Sequence, residues 1–182
     1  MRLIETVLPE VKILEPRTYE DERGFFLESR NARTFRDIGL DVDFVQANHS
    51  RSSRGTLRGI HYQIRKPQGK LVRVTRGSVF DVAVDLRKGA PTFGHWIGVE
   101  LNETNHRQLW VPPGFGHAFY VTSDSADFLY KCTEYYIPEH DRAVRWDDPA
   151  IGIEWPLSPG EPPLLSGKDR AAPALAEADL DD

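Results

Sequence analysis

The 182-residue sequence has a single cysteine, Cys132. A lone cysteine excludes an intrachain disulfide and a cysteine-based zinc cage, and nothing demands an oxidising compartment. Long apolar runs are also missing: no stretch reaches the roughly 18 residues that a membrane helix needs. The N-terminal stretch holds Glu5 and Glu10 among its apolar residues, unlike a signal peptide. Nor is there a basic excess. Lys and Arg number 23 against 28 Asp and Glu, a formal net charge of -5. That balance argues against wholesale nucleic-acid binding but leaves room for a local basic pocket. The expectation is one soluble, cytoplasmic domain, since domains run to roughly 100–200 residues and one of this size buries about 70% of its unfolded surface.

Helical patterns are scarce. Asn31–Ile38 is one short candidate, stopped by Gly39. Aromatic residues make up 10% of the chain, and aromatic and β-branched runs recur between Gly, Pro, Asn and Asp. They predict strands over Val11–Leu14, Phe25–Ser29, Phe44–Ser50, Thr56–Gln63, Lys70–Arg76, Ser78–Leu86, His95–Leu101, Gln108–Val111, Ala118–Thr122 and Asp127–Tyr135. Their spacing is close to the roughly 8–12 residues of a sandwich or barrel. The clearest alternation puts Phe80, Val82, Val84 and Leu86 on one face and Asp81, Ala83 and Asp85 on the other. No helical pattern links the strands, which disfavours a parallel sheet. The expected fold is all-β: a cupin-type jelly roll of two antiparallel sheets with a few short helices. It would fill residues 1–170 as one domain, including a proline-rich irregular segment at about 147–165. Residues 171–182 are small, apolar and acidic and predict a frayed tail.

Polar residues inside the strands are the informative ones. In Gly55–Gln63, strand parity puts Leu57, Gly59, His61 and Gln63 on one face and Arg58, Ile60 and Tyr62 on the other. A histidine at a barrel mouth can act as a general base, and it can equally be a satisfied structural histidine. In Trp110–Phe119, two prolines and two glycines form a turn that delivers His117 to the start of a strand, as a site residue or as an edge histidine. Phe128, Tyr130 and Cys132 share a face. A tyrosine hydroxyl there can return a proton to a carbanion, or it can be a core residue with its OH paired. Cys132 reads as small packing. Arg23, Arg58, Lys70 and Lys168 suggest an anion pocket such as a phosphate requires, against the plainer reading of solvated edges. Metal-binding cupins carry His-x-His with a following Glu. Here the matching stretch reads His61-Tyr62-Gln63, so no metal is expected.

Seven strings together resemble one family. They are Asp21–Phe26, Phe44–Ser50, Gly55–Gln63, Gly69–Val74, Val111–His117, Tyr130–Tyr136 and Leu165–Asp169. In that order they are similar to the dTDP-4-dehydrorhamnose 3,5-epimerases, from about Val11 to Arg170. The resemblance implies a jelly-roll epimerase without a cofactor, working as a homodimer on a dTDP-4-keto-6-deoxyhexose, with no nucleic acid or membrane partner. It implies His61 as the base, Asp169 as the carboxylate that orients it, Tyr130 as the acid on the opposite face and Lys70 beside the C4 oxyanion. It implies substrate contacts from Arg23, Phe26, Glu28, Gln46, Asn48, Arg58, His117, Asp141 and Lys168, and a thymine stack on Tyr136. The family often has Glu where Asp141 stands, so a water is expected in that contact. Arg58 and His61 differ in strand parity, so both line one pocket only if Gly59 marks a bulge; otherwise Arg58 acts at a rim or across a dimer boundary. The Val11–Leu14 strand is expected to pair with the partner subunit. Two further readings remain: a mono-epimerase acting at C3 or C5 only, and a non-catalytic cupin that binds a nucleotide or sugar.

Overall fold

A computed structural model of the chain describes every residue except Pro159 and Asp182. Those two, from the proline-rich segment and the tail, lie outside the described residues. Two antiparallel sheets face each other. One is built from β1 (Arg2–Glu5), β2 (Lys12–Glu15), β5 (Gln46–Ser53), β7 (Lys70–Arg76), β10 (Gln108–Val111) and β12 (Ser125–Cys132), in the order β1-β2-β10-β7-β12-β5. The other contains β6 (Leu57–Gln63), β8 (Ser78–Asp85), β9 (Trp96–Asn102), β11 (Phe115–Val121) and β13 (Asp141–Ala143), in the order β13-β6-β11-β8-β9. A separate hairpin joins β3 (Thr18–Asp21) to β4 (Gly24–Leu27). Two short α-helices complete the secondary structure that matters for the site: α1 (Ala32–Asp37), capped by the Asn31 side chain, and α2 (Gly167–Arg170), capped by Ser166.

The inner faces of both sheets supply the main core. Val72 and Val74 of β7, Val79 and Ala83 of β8, Phe115, Phe119 and Val121 of β11 and Phe128 of β12 interdigitate there. Apolar side chains alternating along paired strands meet across such a sandwich, and their removal from water is the main stabilising term. A second cluster covers the outer face of the five-stranded sheet. Ile60, Tyr62, Val82 and Val84 pack there under Val144, Ile151, Leu175 and Leu180. Consequently β8 is buried on both faces, and the face holding Asp81 and Asp85 looks inward; both carboxylates are fully buried. A third cluster seats Phe35 and Leu40 against Leu14, Leu71 and Trp110 on the outer face of the six-stranded sheet.

The tail does not fray. Leu175 and Leu180 are buried in the second cluster. The Leu175 N–H donates to Asp148 Oδ2 at 2.7 Å, the Tyr62 hydroxyl donates to the Asp179 carbonyl at 2.8 Å, and Arg142 pairs with Asp179 at 2.8 Å. The expectation weighed the acidic composition and overlooked two leucines spaced to cap an apolar sheet face. The strand over Val11–Leu14 also differs in role. It appears as Lys12–Glu15, bonded to β1 on one side and β10 on the other, so its edges are already filled and β1 is the free edge.

Every expected strand overlaps an observed one. The short, charged β1, β3 and β13 went unread because their sequences lack an apolar alternation. Asp127–Tyr135 overran: the strand ends at Cys132, and Tyr135 and Tyr136 are exposed beyond it.

Candidate active site

A cavity of about 350 Å³ opens between the sheets. Strand parity fills one wall with Gln46, Asn48 and Ser50 of β5, Lys70 of β7 and Phe128 and Tyr130 of β12. The opposite wall carries Arg58, His61 and Gln63 of β6 and His117 and Phe119 of β11. Tyr136, Asp141 and Lys168 stand at the mouth.

The parity conflict between Arg58 and His61 is resolved at Gly59. The pairing of β6 with β11 shifts register between His117↔His61 and Phe119↔Arg58, so Arg58 and His61 both line the cavity. Gly59 has φ 120°, and a Cβ there would lie 2.4 Å from the Ala118 Cβ and 2.6 Å from the His117 carbonyl oxygen. Only glycine fits such a left-handed, crowded position.

His61 and Asp169, 108 residues apart, form a hydrogen-bonded pair through Nε2 and Oδ1. Asp169 sits in the first turn of α2, where Ser166 Oγ accepts the Asp169 N–H at 3.1 Å and donates to Oδ2 at 2.7 Å. Burial alone would raise the Asp169 carboxyl, but hydrogen bonds from His61, Ser166 and the Gly59 N–H hold it below its ordinary value. Burial pushes the His61 imidazole down, Lys168 and Lys70 push the same way, and Asp169 opposes. A neutral imidazole with Nε2 tied to a carboxylate leaves Nδ1 for the cavity, the state a general base requires.

Lys70 is buried, with Nζ donating to the His61 carbonyl at 3.3 Å. Desolvation lowers its pKa, while Cys132, Asp141 and Asp81 counter this. Tyr130 faces His61 from the other sheet. Its hydroxyl is pushed up, mainly by burial, so it holds its proton. Cys132 is buried beside Lys70, and desolvation pushes its thiol up, as suits a packing residue. The His61 imidazole, the Tyr130 phenol and the Lys70 ammonium thus face one space from different strands, while Phe119 and Phe128, stacked 4.2 Å apart, form an apolar floor. Proton transfer to and from carbon beside a developing oxyanion needs this set.

At the mouth, Asp141 Oδ2 accepts from the Tyr136 hydroxyl at 3.0 Å and from Lys168 Nζ. The Tyr136 N–H donates to Gln46 Oε1 at 3.0 Å, and Gln46 Nε2 donates to Asn48 Oδ1. Arg58 Nε donates to Ser52 Oγ at 3.1 Å. His117 lies within β11 rather than at its start; its Nε2 bonds the buried Asp81 carboxylate and its ring stacks on Phe128.

Three expected contacts stay outside. Arg23 is exposed and paired with Asp21, Phe26 is 70% exposed, and Glu28 accepts a hydrogen bond from Asn31. The hairpin that holds the first two belongs to neither sheet, and none of the three lines the cavity. Sequence reasoning missed Ser166 and Asp81. Ser166 had a signal, the Ser-x-x-Asp spacing of a helix start. Asp81 had a weaker one, an acid between Val79 and Ala83 on one strand face.

Comparison with known proteins agrees with this arrangement. The family model described as dTDP-4-dehydrorhamnose 3,5-epimerase matches residues 5–177. A dTDP-4-dehydrorhamnose 3,5-epimerase of Pseudomonas aeruginosa is 56% identical over 98% of each chain. Among solved structures, a Legionella pneumophila dTDP-6-deoxy-D-glucose-3,5-epimerase in complex with dTDP-4-keto-L-rhamnose is 53% identical, with a TM-score of 0.94 over 98% of this chain and 94% of that one. A 3'-monoepimerase from Streptomyces bikiniensis in complex with dTDP-quinovose is more distant, 36% identical with a TM-score of 0.88 over 94% of this chain and 87% of that one. With a family model spanning residues 5–177 and relatives more than half identical over nearly the whole length, this two-sheet barrel belongs to the dTDP-4-dehydrorhamnose 3,5-epimerase family.

Proposed function

We propose that the protein epimerises C3 and C5 of dTDP-4-keto-6-deoxy-D-glucose, giving dTDP-4-keto-L-rhamnose for dTDP-L-rhamnose synthesis. The observation that carries this reading is the His61–Asp169 pair facing Tyr130 across the cavity, with Lys70 lining the same space. The C4 ketone acidifies the hydrogens on both neighbouring carbons. His61 Nδ1 takes one of them, and the C–H electron pair moves onto O4 as an enolate. The Lys70 ammonium stabilises that oxyanion, and Asp169 stabilises the imidazolium. Tyr130 then gives its phenolic proton to the opposite face of the carbon, and solvent restores both side chains. The cycle repeats at the second carbon.

Arg58, Lys168 and His117 are assigned to the nucleotide sugar with Gln46, Asn48 and Asp141, and Tyr136 to a stack on thymine. Charge close to the ligand matters more than the acidic total, and Arg58, Lys70 and Lys168 supply it. Asp141, held by Lys168 and Tyr136, reaches the ligand through water or by releasing one of them.

A homodimer is part of this reading, with Arg23, Phe26 and Glu28 supplied to the cavity by a second copy. Two features support it: the hairpin stands free of both sheets, and it leaves Phe25 and Phe26 exposed. Light scattering should give twice the chain mass; a monomer would remove it. The cytoplasm is the proposed compartment, and no described helix is long and apolar enough to cross a membrane.

The test is proton exchange in D2O. The protein is incubated with dTDP-4-keto-6-deoxy-D-glucose, the product is trapped by reduction, and deuterium is read at C3 and C5. Label at both carbons with the L-rhamno configuration is the expected result. Label at one carbon would move the protein to mono-epimerisation, the activity named for the Streptomyces bikiniensis relative. Tight dTDP-sugar binding with no label would leave a binding protein.

A further inference from the structure

Asp81 is fully buried, deeper than any group that lines the cavity. It sits on the inner face of β8 between Val79 and Ala83, both in the main core. An isolated carboxylate in such surroundings is costly and is retained where a partner holds it. Among the described residues its hydrogen-bond partner is His117, whose Nε2 lies 3.1 and 3.0 Å from the two carboxylate oxygens. The ring is fixed a second time by its stack on Phe128, with centroids 5.8 Å apart. With Nε2 committed inward, Nδ1 is the nitrogen that His117 offers the cavity. Asp81 also acts on Lys70, which lies near it in the interior.

We infer that Asp81 is a positioning residue of the reaction: it touches no substrate, but it fixes His117 with Nδ1 toward the cavity and is the interior counter-charge of Lys70. This rests on the epimerase reading of the same site. Two His–Asp pairs then stand on adjacent strands, since His61 and His117 are register partners. One pair performs proton transfer. The other is a fixed donor–acceptor unit behind the site of the developing oxyanion.

The pH dependence follows from the groups around Lys70. Burial lowers its pKa, Lys168 acts in the same direction, and Cys132, Asp141 and Asp81 counter both. His61 faces it from β6 and is itself pushed down by Lys70. His117 binds Asp81, and burial raises the Asp81 carboxyl against the pull of His117 and Lys70. Tyr130 is pushed upward and Lys70 downward, and the alkaline limb of activity is assigned to loss of the Lys70 proton. Removing the negative charge of Asp81 lets Lys70 lose that proton sooner.

Asp81→Asn keeps the shape and an acceptor for His117 but deletes the charge. Its kcat/KM alkaline limb should move about one pH unit lower, as expected for losing one interior charge partner. A variant with reduced thermal stability but an unmoved limb would overturn the assignment, because a purely structural carboxylate would behave in that way. If Asp81→Asn does not fold, the ring nitrogens of His117 in the unaltered protein decide the matter by NMR. Nε2 should carry the ring hydrogen, donated to Asp81, and Nδ1 the lone pair; a bare Nε2 would overturn the inference. That measurement needs no substrate. Failure of wild-type turnover would count against the epimerase reading, and a bare Nε2 against Asp81 alone.

Discussion

Replacing Asp169 by asparagine tests the site at its centre. Asp169 Oδ1 bonds His61 Nε2, while Oδ2 accepts the Ser166 hydroxyl. Asparagine must choose how to place one carbonyl and one amide between these neighbours. The Ser166 hydroxyl already accepts the residue 169 N–H, so it is set to donate and takes the carbonyl. The amide NH2 is then presented to His61 and makes Nε2 an acceptor. The ring hydrogen moves to Nδ1, and the nitrogen facing the substrate loses the lone pair that a base needs. General-base catalysis is worth roughly 10²–10⁴-fold, which is about 3–5 kcal/mol of barrier. Asp169 is 2% exposed and does not line the cavity, so KM should stay within about twofold, since only a transition-state interaction is lost. Steady-state kinetics with product trapping reads both constants. Asp169 also raises the His61 pKa, so the residual activity should persist to lower pH than in the parent. A kcat within tenfold of the parent, or a KM that rises while kcat holds, would refute the dyad.

Tyr130→Phe removes the proton donor and leaves the base. Deuterium should still enter the substrate carbons, while epimer formation falls about 10²-fold or more; equal loss of both would place Tyr130 outside the donor role. Arg58→Ala deletes a charge-assisted contact, so KM should rise about tenfold or more, and an unchanged KM would remove Arg58 from the ligand contacts. Leu175→Ala should cost about 2–3 kcal/mol in urea unfolding, because the side chain is 9% exposed in the outer cluster. A loss below about 0.5 kcal/mol would mean that the tail is not docked in solution.

The sheets were readable because most strands announce themselves by period-two alternation between turn residues. Gln46, Asn48 and Ser50 share one face by that parity, but only the resemblance assigned Gln46 and Asn48 to the substrate. Arg58 did not follow from parity, because its side of the sheet is reset at Gly59 by a register shift that depends on the neighbouring strand. The partnership of His61 with Asp169 spans 108 residues, and no local pattern carries such information; only resemblance linked the two. The depth of Asp81 was hidden for a related reason. Its strand alternates like a half-exposed one, yet the tail covers the outer face and turns the polar face inward. Arg23, Phe26 and Glu28 mark the opposite limit, since the sequence names them and none of them lines the cavity.

The position of Asp169 along the chain sets an order of events during synthesis. Strands β5 to β12 carry His61, Lys70, Tyr130 and most of the groups assigned to binding, and these emerge before α2, which brings Lys168 and Asp169. The orienting carboxylate is made last of all the groups in the site. Until residue 169 is made, His61 has no carboxylate partner. An early stop codon before position 169 removes the partner of His61 together with Leu175 and Leu180, which cover the outer face of the five-stranded sheet, so loss of the oriented base and loss of that cover come as one event.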